Sequence, residues 1–457
     1  MIRGLLGIAL ALLGLVPLGA GVLFLARTPL RLGLAVFTGM AAAMVVLPPL
    51  VYVGLAPSIP LVLGVGLVVL AAGIAFGERS RARIRIEPLP LLVLAAPLLL
   101  LAARGAEKPV DRYDAFANWA LKAKLLYFDR SFSGASIAPP VHREYPLGLP
   151  SLEAYVLHAI GSANVRVAHV LFVVFLAGLA LVTWQVSRPH VGALPLTVGL
   201  SVLLWLPAAR DQALSAYADV PLACLFVSAV LLFGDGRIAL GSVFLVAALA
   251  TKRDALAYCA VLYAVAFGDV LVRRERERLR PLLVSAACVA LSAVPWRVFD
   301  ATHDLHDRDI ALSLSRAGQL PFVLGRMGHL VVQRAYLWTL LLAMGAAVVM
   351  LVRGRDQRLA VGALALLAGL VGALSLAYIS GTTGVHYLVR STVHRTLITP
   401  TLLAAALLPL LVTRALGARP RVAAPSDARR RPGAKARTRS RTRRRGRRLQ
   451  RGERRRR

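Results

Sequence analysis

The chain has 457 residues, 58% of them hydrophobic and 17% charged, with a mean hydropathy of +0.68 and a formal net charge of +33. A soluble domain breaks its apolar runs with a polar face every few residues, whereas uninterrupted runs of roughly 20 residues, enough to cross a bilayer, recur here along the whole chain. Backbone polar groups in lipid must be satisfied internally, and the runs are continuous rather than alternating, so the composition excludes a soluble fold and a barrel and predicts an all-α, polytopic transmembrane protein.

In chain order, the first run, Leu5 to Ala26, follows Met1-Ile2-Arg3 and resembles a signal peptide in its opening. It is too long for one, and a second apolar run follows at once, so it is read as a retained helix. Further spans are expected at 32–53, 60–77, 89–103, 165–187, 191–209, 219–234, 238–251, 255–272, 281–299, 331–352, 359–379 and 397–412, about thirteen in all. Those at 219–234 and 238–251 are short. Arg27/Arg31, Arg79/Arg81/Arg83/Arg85, Arg273/Arg274/Arg276/Arg278/Arg280 and Arg353/Arg355/Arg358 form short basic loops. Such loops belong on the cytoplasmic side, and the thirteen spans put all of them there, with an external N-terminus and a cytoplasmic C-terminus in the cell membrane. Four regions follow: N-terminal helices over 1–103, an extracytoplasmic loop with interfacial helices over 104–164, a transmembrane core over 165–412, and a tail over 413–457.

Residues 414–457 hold 20 of the 55 Lys and Arg and only two acids, Asp427 and Glu453, so the tail is +18 of the total +33. It has almost nothing apolar to bury and reads as disordered. A positive-inside anchor or a clamp on anionic lipids needs only the adjacent leaflet and is preferred to an RNA-binding arm, so nucleic acid is not the expected partner. Cys224, Cys259 and Cys288 fall in apolar runs without metal-ligand spacing and are expected to pack in the core.

The remaining polar segments, 104–164, 210–218, 251–254, 300–330 and 380–396, all fall on the outer side and carry the acids and histidines. The long loop opens Asp111-Arg112-Tyr113-Asp114-Ala115-Phe116-Ala117-Asn118-Trp119-Ala120-Leu121-Lys122-Ala123-Lys124. At helical spacing Asp114, Asn118 and Leu121 share one side, while Tyr113, Phe116, Trp119 and Ala120 form an apolar stripe suited to a membrane interface. His142-Arg143-Glu144-Tyr145-Pro146 follows, then the apolar stretch 147–160, short for a span and suited to an interfacial or re-entrant helix. No phosphate-loop, dinucleotide or zinc-protease motif occurs.

These segments resemble the GT-C superfamily of membrane glycosyltransferases, which includes the protein O-mannosyltransferases and the aminoarabinose transferases of lipid A. The 113–124 segment and His142…Tyr145-Pro146 are similar to its first outer loop. Ser215-Ala216-Tyr217-Ala218-Asp219-Val220-Pro221-Leu222, Thr251-Lys252-Arg253-Asp254-Ala255-Leu256 and Ser391-Thr392-Val393-His394-Arg395-Thr396-Leu397 with Pro400 resemble three later motifs, in order, over 105–412. Tyr113 stands where Trp is usual and Asp254-Ala255 where Glu-Gly is usual. The resemblance implies transfer of a sugar from a polyprenyl-phosphate donor to an envelope lipid, glycan or protein acceptor, with no metal or other cofactor required.

Such a transfer needs a base at the acceptor hydroxyl and cations at the leaving phosphate. Asp114 matches the loop aspartate assigned as base in the superfamily; its bland alternative is a helix N-cap. His142 and Glu144 are secondary catalytic candidates. Arg395 is the preferred phosphate ligand because its fork binds bidentately, and Lys122, Lys124, Lys252 and Arg253 are further cations for the same phosphate. Asp219 faces the site or caps its helix, and Tyr145 and His386 complete the candidates. Asp300, His303, Asp304, His306, Asp307 and Asp309 could suit a divalent ion, although a solvated loop is the commoner use of such residues. The rival classes are a transporter or flippase, for which repeats and mid-span charges are lacking, and a non-catalytic envelope scaffold.

Overall fold

The computed structural model describes residues 2–29, 31–77, 88–130, 145–303, 314–334, 337–380 and 384–417. Every regular element among them is helical. Among the described residues nine helices are long and apolar enough to cross a membrane, or up to eleven if each of two bent helix pairs is one span. The chain is an all-helical protein of the multi-pass membrane kind. Residues 1–419 cluster as one compact unit, and the basic tail beyond it lies outside the described residues.

The N-terminal helices Val16–Leu25, Leu32–Tyr52 and Ile59–Phe76 pack through glycines. A Cβ on Gly19 would fall 1.8 Å from the Ala35 carbonyl oxygen, and one on Gly73 would fall 2.6 Å from that of Gly21. With no hydrophobic effect between helices in lipid, this close backbone approach supplies the packing. The centre of the bundle is Val170–Ser187, Asp219–Gly234 and Ile398–Ala415, whose side chains are largely buried. Ile59–Phe76, Ala255–Arg273 and the 276–302 segment turn most of their apolar surface outward. Asp219–Gly234 and Ile238–Leu249 are short, as expected, and form a buried hairpin inside the bundle.

Some expected spans change shape. The 191–209 stretch is two helices, Ala193–Trp205 and Pro207–Leu214, bent by 48°. Pro207 donates no hydrogen bond and drives Leu206 to an extended ψ of 120°, which breaks the helix there. The 331–352 stretch is divided between Leu320–Gln333 and Trp338–Val352. In the 380–396 segment, expected as a loop, Val385–Thr396 is a helix that runs on into Ile398–Ala415, so Arg395 lies in a last helical turn rather than at the head of a span. Cys224 and Cys259 are buried as expected, whereas Cys288 is exposed because its helix presents that face outward.

Charges segregate. Arg358 pairs with Asp269 and lies 3.1 Å from Glu275, and Arg414 lies 3.8 Å from Asp356, so the basic loops around 273–280 and 353–358 and the end of the last helix share one face. The polar segments expected on the other face also meet one another, and there they build the site.

Candidate functional site

Tyr113–Ala115, Phe116–Ala120 and Leu121–Asp129 form one helical stretch whose middle turn is a π-helix. Such one-turn widenings are unfavourable and concentrate at functional sites. The interfacial reading of this stretch needs correction. Tyr113 and Phe116 are exposed, but Trp119 is buried with Asn118 and Lys122, so the expected apolar stripe is split by the π-turn and half of it faces the protein. Asp114 starts no helix: Arg112 is the N-cap, and the Asp114 carboxylate makes no capping bond. It accepts from the Asn118 amide through Oδ1 and pairs with Arg395 through Oδ2.

From there a line of alternating charge runs inward. The Arg395 Nε lies 3.0 Å from Asp219 Oδ2, a close ion pair whose N–H is not aligned on the oxygen. Asp219 Oδ1 accepts from Lys252 Nζ at 2.9 Å, and Lys252 also reaches Asp254 Oδ2 at 2.9 Å. Asp219 is not a helix cap: it is the first residue of its helix, Ala218 takes the cap position, and the Asp219 carboxylate is committed to two cations. Three carboxylates face two cations here. The Asp219 and Lys252 side chains are only 5% and 8% exposed, so water screens little of this attraction.

Several contacts hold Arg395 in place. Its guanidinium lies over the Tyr217 ring at 4.4 Å, a cation–π contact, and Gln212 Nε2 donates to its backbone carbonyl at 3.2 Å. Tyr378 braces the same helix through Thr396 Oγ1 at 2.7 Å and Thr392 Oγ1 at 2.9 Å. On the opposite wall the Tyr145 ring stacks on Trp119 with centroids 5.3 Å apart, and its carbonyl accepts from Lys122 Nζ at 3.2 Å. Gly148 N–H donates to the Ala250 carbonyl at 2.9 Å, tying this segment to the turn that carries Lys252 and Asp254. A Cβ on Gly148 would fall 2.5 Å from that oxygen, so glycine is needed for the approach.

Burial sets the proton affinities. It pulls the Lys122 ammonium down to about 7, helped by the positive charge of Arg253. Burial also opposes the charge on Lys252, but Asp219 and Asp254 more than offset it and hold its pKa well above the ordinary lysine value. Burial pushes the Tyr145 hydroxyl upward, keeping it neutral.

The structure therefore joins Asp114, Asp219, Lys252 and Arg395, with Tyr145 and Lys122 on the adjoining wall. Arg253 is half-buried near Lys122. Lys122 is buried rather than set at an outer surface, because it extends into the gap under Tyr145. Lys124 lies instead over the exposed Phe116 ring at 5.8 Å. His386 is exposed against Phe322, nine residues before Arg395, about 13 Å of helix away. His142 and Glu144 lie outside the described residues, as do Asp304, His306, Asp307 and Asp309. Asp300 is buried near Arg297, and His303 stacks on Phe299; among the described residues no group of three or more potential ligands is placed to hold a metal ion.

Sequence reasoning passed over Asp254, Asn118, Tyr217 and Gln212 as site residues. Asp254 and Tyr217 each stand two residues from a chosen candidate, a signal that was present. Gln212 gives no such signal, because its partner is 183 residues away. Searches against protein-family models, curated proteins and solved structures return no match for this chain.

Proposed function

We propose that the chain is a GT-C type glycosyltransferase that moves a sugar from a polyprenyl-phosphate donor to a hydroxyl of an envelope acceptor. The observation that carries this reading is the convergence of Asp114, Asp219, Lys252, Asp254 and Arg395, drawn from four polar segments far apart in the chain, into one semi-buried cluster at the end of the bundle. A scaffold has no need to gather carboxylates and cations at a dry site, where each unpaired charge is costly. In this reading the site faces the non-cytoplasmic side, the basic loops and tail face the cytoplasm and its anionic lipids, and the two bent pairs and two short helices complete thirteen crossings.

In the ligand-free cluster Arg395 is shared between Asp114 and Asp219. An arriving phosphate competes for the guanidinium fork and releases Asp114 from it. Asp114 then takes the proton of the acceptor hydroxyl, and that oxygen bonds to the anomeric carbon from the face opposite the phosphate. The bond from the anomeric carbon to the phosphate oxygen breaks, the phosphate leaves with the electron pair beside Arg395 and Lys252, and the anomeric configuration inverts. Asp219 and Asp254 keep both cations in position.

The test is sugar transfer by purified Asp114→Asn and Arg395→Lys variants. Asp114→Asn retains the amide partner Asn118 but accepts no proton, so turnover falls by roughly 10²-fold or more, while donor affinity does not fall, because the phosphate no longer competes with a carboxylate for the Arg395 fork. Arg395→Lys keeps the charge but not the fork, so donor binding weakens. A stable, fully active Asp114→Asn protein removes this mechanism.

A further inference from the structure

Beside this cluster lies a second polar group that the mechanism does not use. His169 sits at the break between Val165–Ala168 and Val170–Ser187, 2% exposed, and neither of its ring nitrogens has a hydrogen-bond partner. An imidazole carries at least one N–H in every protonation state, so a buried one without an acceptor is a donor held ready at a cost. Lys108, directly after the neighbouring helix Pro88–Glu107, is close enough to His169 to act on its charge. Its ammonium donates to Ser215 Oγ at 3.3 Å, while that hydroxyl donates to the Asp211 carbonyl at 2.7 Å. Lys108 thus keeps two N–H groups for another partner, and the preceding turn lies against His169 and Leu214, since a Cβ on Gly105 would sit in ordinary contact with both, at 3.8 Å and 3.7 Å. Three elements, the end of Pro88–Glu107 that Lys108 follows, the break at His169 and the corner after Pro207–Leu214, meet here.

That corner is strained. Ala216 has φ +55°, the left-handed region that residues with a Cβ seldom occupy. The strained residue turns Ser215 toward Lys108 and Tyr217 toward Arg395. Strain of this kind persists where the surroundings enforce it, and it concentrates at ligand sites.

We propose that Lys108 and His169, with Ser215 as the tether of Lys108, form a second binding site, for a phosphate group, on the far side of the Tyr217 corner from the Arg395 cluster. The free donors are all N–H groups and the ammonium supplies charge, so the matching ligand presents anionic oxygens. Among the charges around it, Asp111 also acts on His169 and lies 3.9 Å from Arg112, both exposed, so it opposes an anion only weakly. The phosphate can belong to a lipid headgroup or be free in solution. This inference stands apart from sugar transfer, because it concerns binding alone.

The experiment uses full-length protein in nanodiscs of neutral lipid, in an Arg395→Ala background that removes the neighbouring cation, with Arg395→Lys as a second background should the first fail to fold. Binding of inorganic phosphate and of farnesyl monophosphate is followed by calorimetry. Both backgrounds are expected to bind at least one probe, Lys108→Gln to weaken it about tenfold, and His169→Phe, which keeps the ring volume without N–H groups, to weaken it at least as much. Farnesyl monophosphate bound tightly and inorganic phosphate weakly identifies a lipid source, and equal affinities identify free phosphate. Absence of binding in both backgrounds, or binding unchanged by His169→Phe and Lys108→Gln, overturns the site.

Discussion

Removing the Asp219 carboxylate is the sharpest physical test of the cluster. Asp219 bridges Lys252 and Arg395, and its side chain is 5% exposed. Asp219→Asn therefore leaves two cations with one carboxylate each, Lys252 with Asp254 and Arg395 with Asp114. Breaking a buried pair by removing one partner costs about 3–5 kcal/mol. The surviving partners place this variant near the lower end, at about 3 kcal/mol. Lys252→Met strands Asp254 as well, but Asp254 is one-third exposed and recovers water, so a similar cost of about 3 kcal/mol is expected. Asp219→Asn combined with Lys252→Met removes one charge of each sign. The double variant should then cost well under the sum, with a coupling of at least about 1.5 kcal/mol, inside the range for residues in one ion-pair network. Denaturant unfolding of the four purified proteins in the same detergent supplies the cycle. Single costs that add to within about 0.5 kcal/mol would refute the picture of a desolvated, mutually dependent chain of charges.

Three further outcomes follow from other parts of the structure. Glu153, in the short helix Gly148–Ile160, is buried with an unpartnered oxygen, and burial pushes its carboxyl up to about 8 from 4.5. The folded state then holds a proton that the unfolded state releases, so stability falls by about 1.4 kcal/mol for each pH unit between 4.5 and 8. Glu153→Gln should abolish that part of the slope, stabilising the protein at pH 8 and leaving it unchanged at pH 4.5; equal slopes in unfolding curves would contradict the burial. Gly148→Ala places a methyl 2.5 Å from the Ala250 carbonyl oxygen, and an overpacking cost of about 1–3 kcal/mol together with weakened donor binding is expected from unfolding and binding measurements. For topology, a reporter fused after Arg130 should be active only outside the cytoplasm and one fused after Arg421 only inside, and both reading the same side would overturn the map of crossings and the placement of the site.

The candidate site was partly legible. Asp114, Asp219, Lys252 and Arg395 were all singled out from the chain, and they are in mutual contact. What the chain did not reveal was that the cations are already paired with carboxylates in the ligand-free state. The chosen cations read as a set of free ligands for phosphate, yet Lys252 is held between two aspartates and Lys122 is drawn under Tyr145. Lys122 and Lys124 look alike at a spacing of two, but that spacing sends them to different sides of a helix, one buried and one beside an exposed ring.

By itself the sequence determined the helical, membrane-crossing architecture, because a helix forms from hydrogen bonds four residues apart and an apolar run in lipid has no other way to satisfy its backbone. It also determined which segments carry charge to each face, since that is written in the loops between the runs. Tertiary structure alone decided where the helices break and which charges meet. The break at Pro207 and the π-turn at Phe116–Ala120 are tolerated because the surrounding bundle receives them, and the Arg395 fork reaches Asp114 and Asp219 only because the last helices pack across the Asp219–Gly234 hairpin. Partners hundreds of residues apart are chosen by packing and desolvation, which no local pattern along the chain encodes.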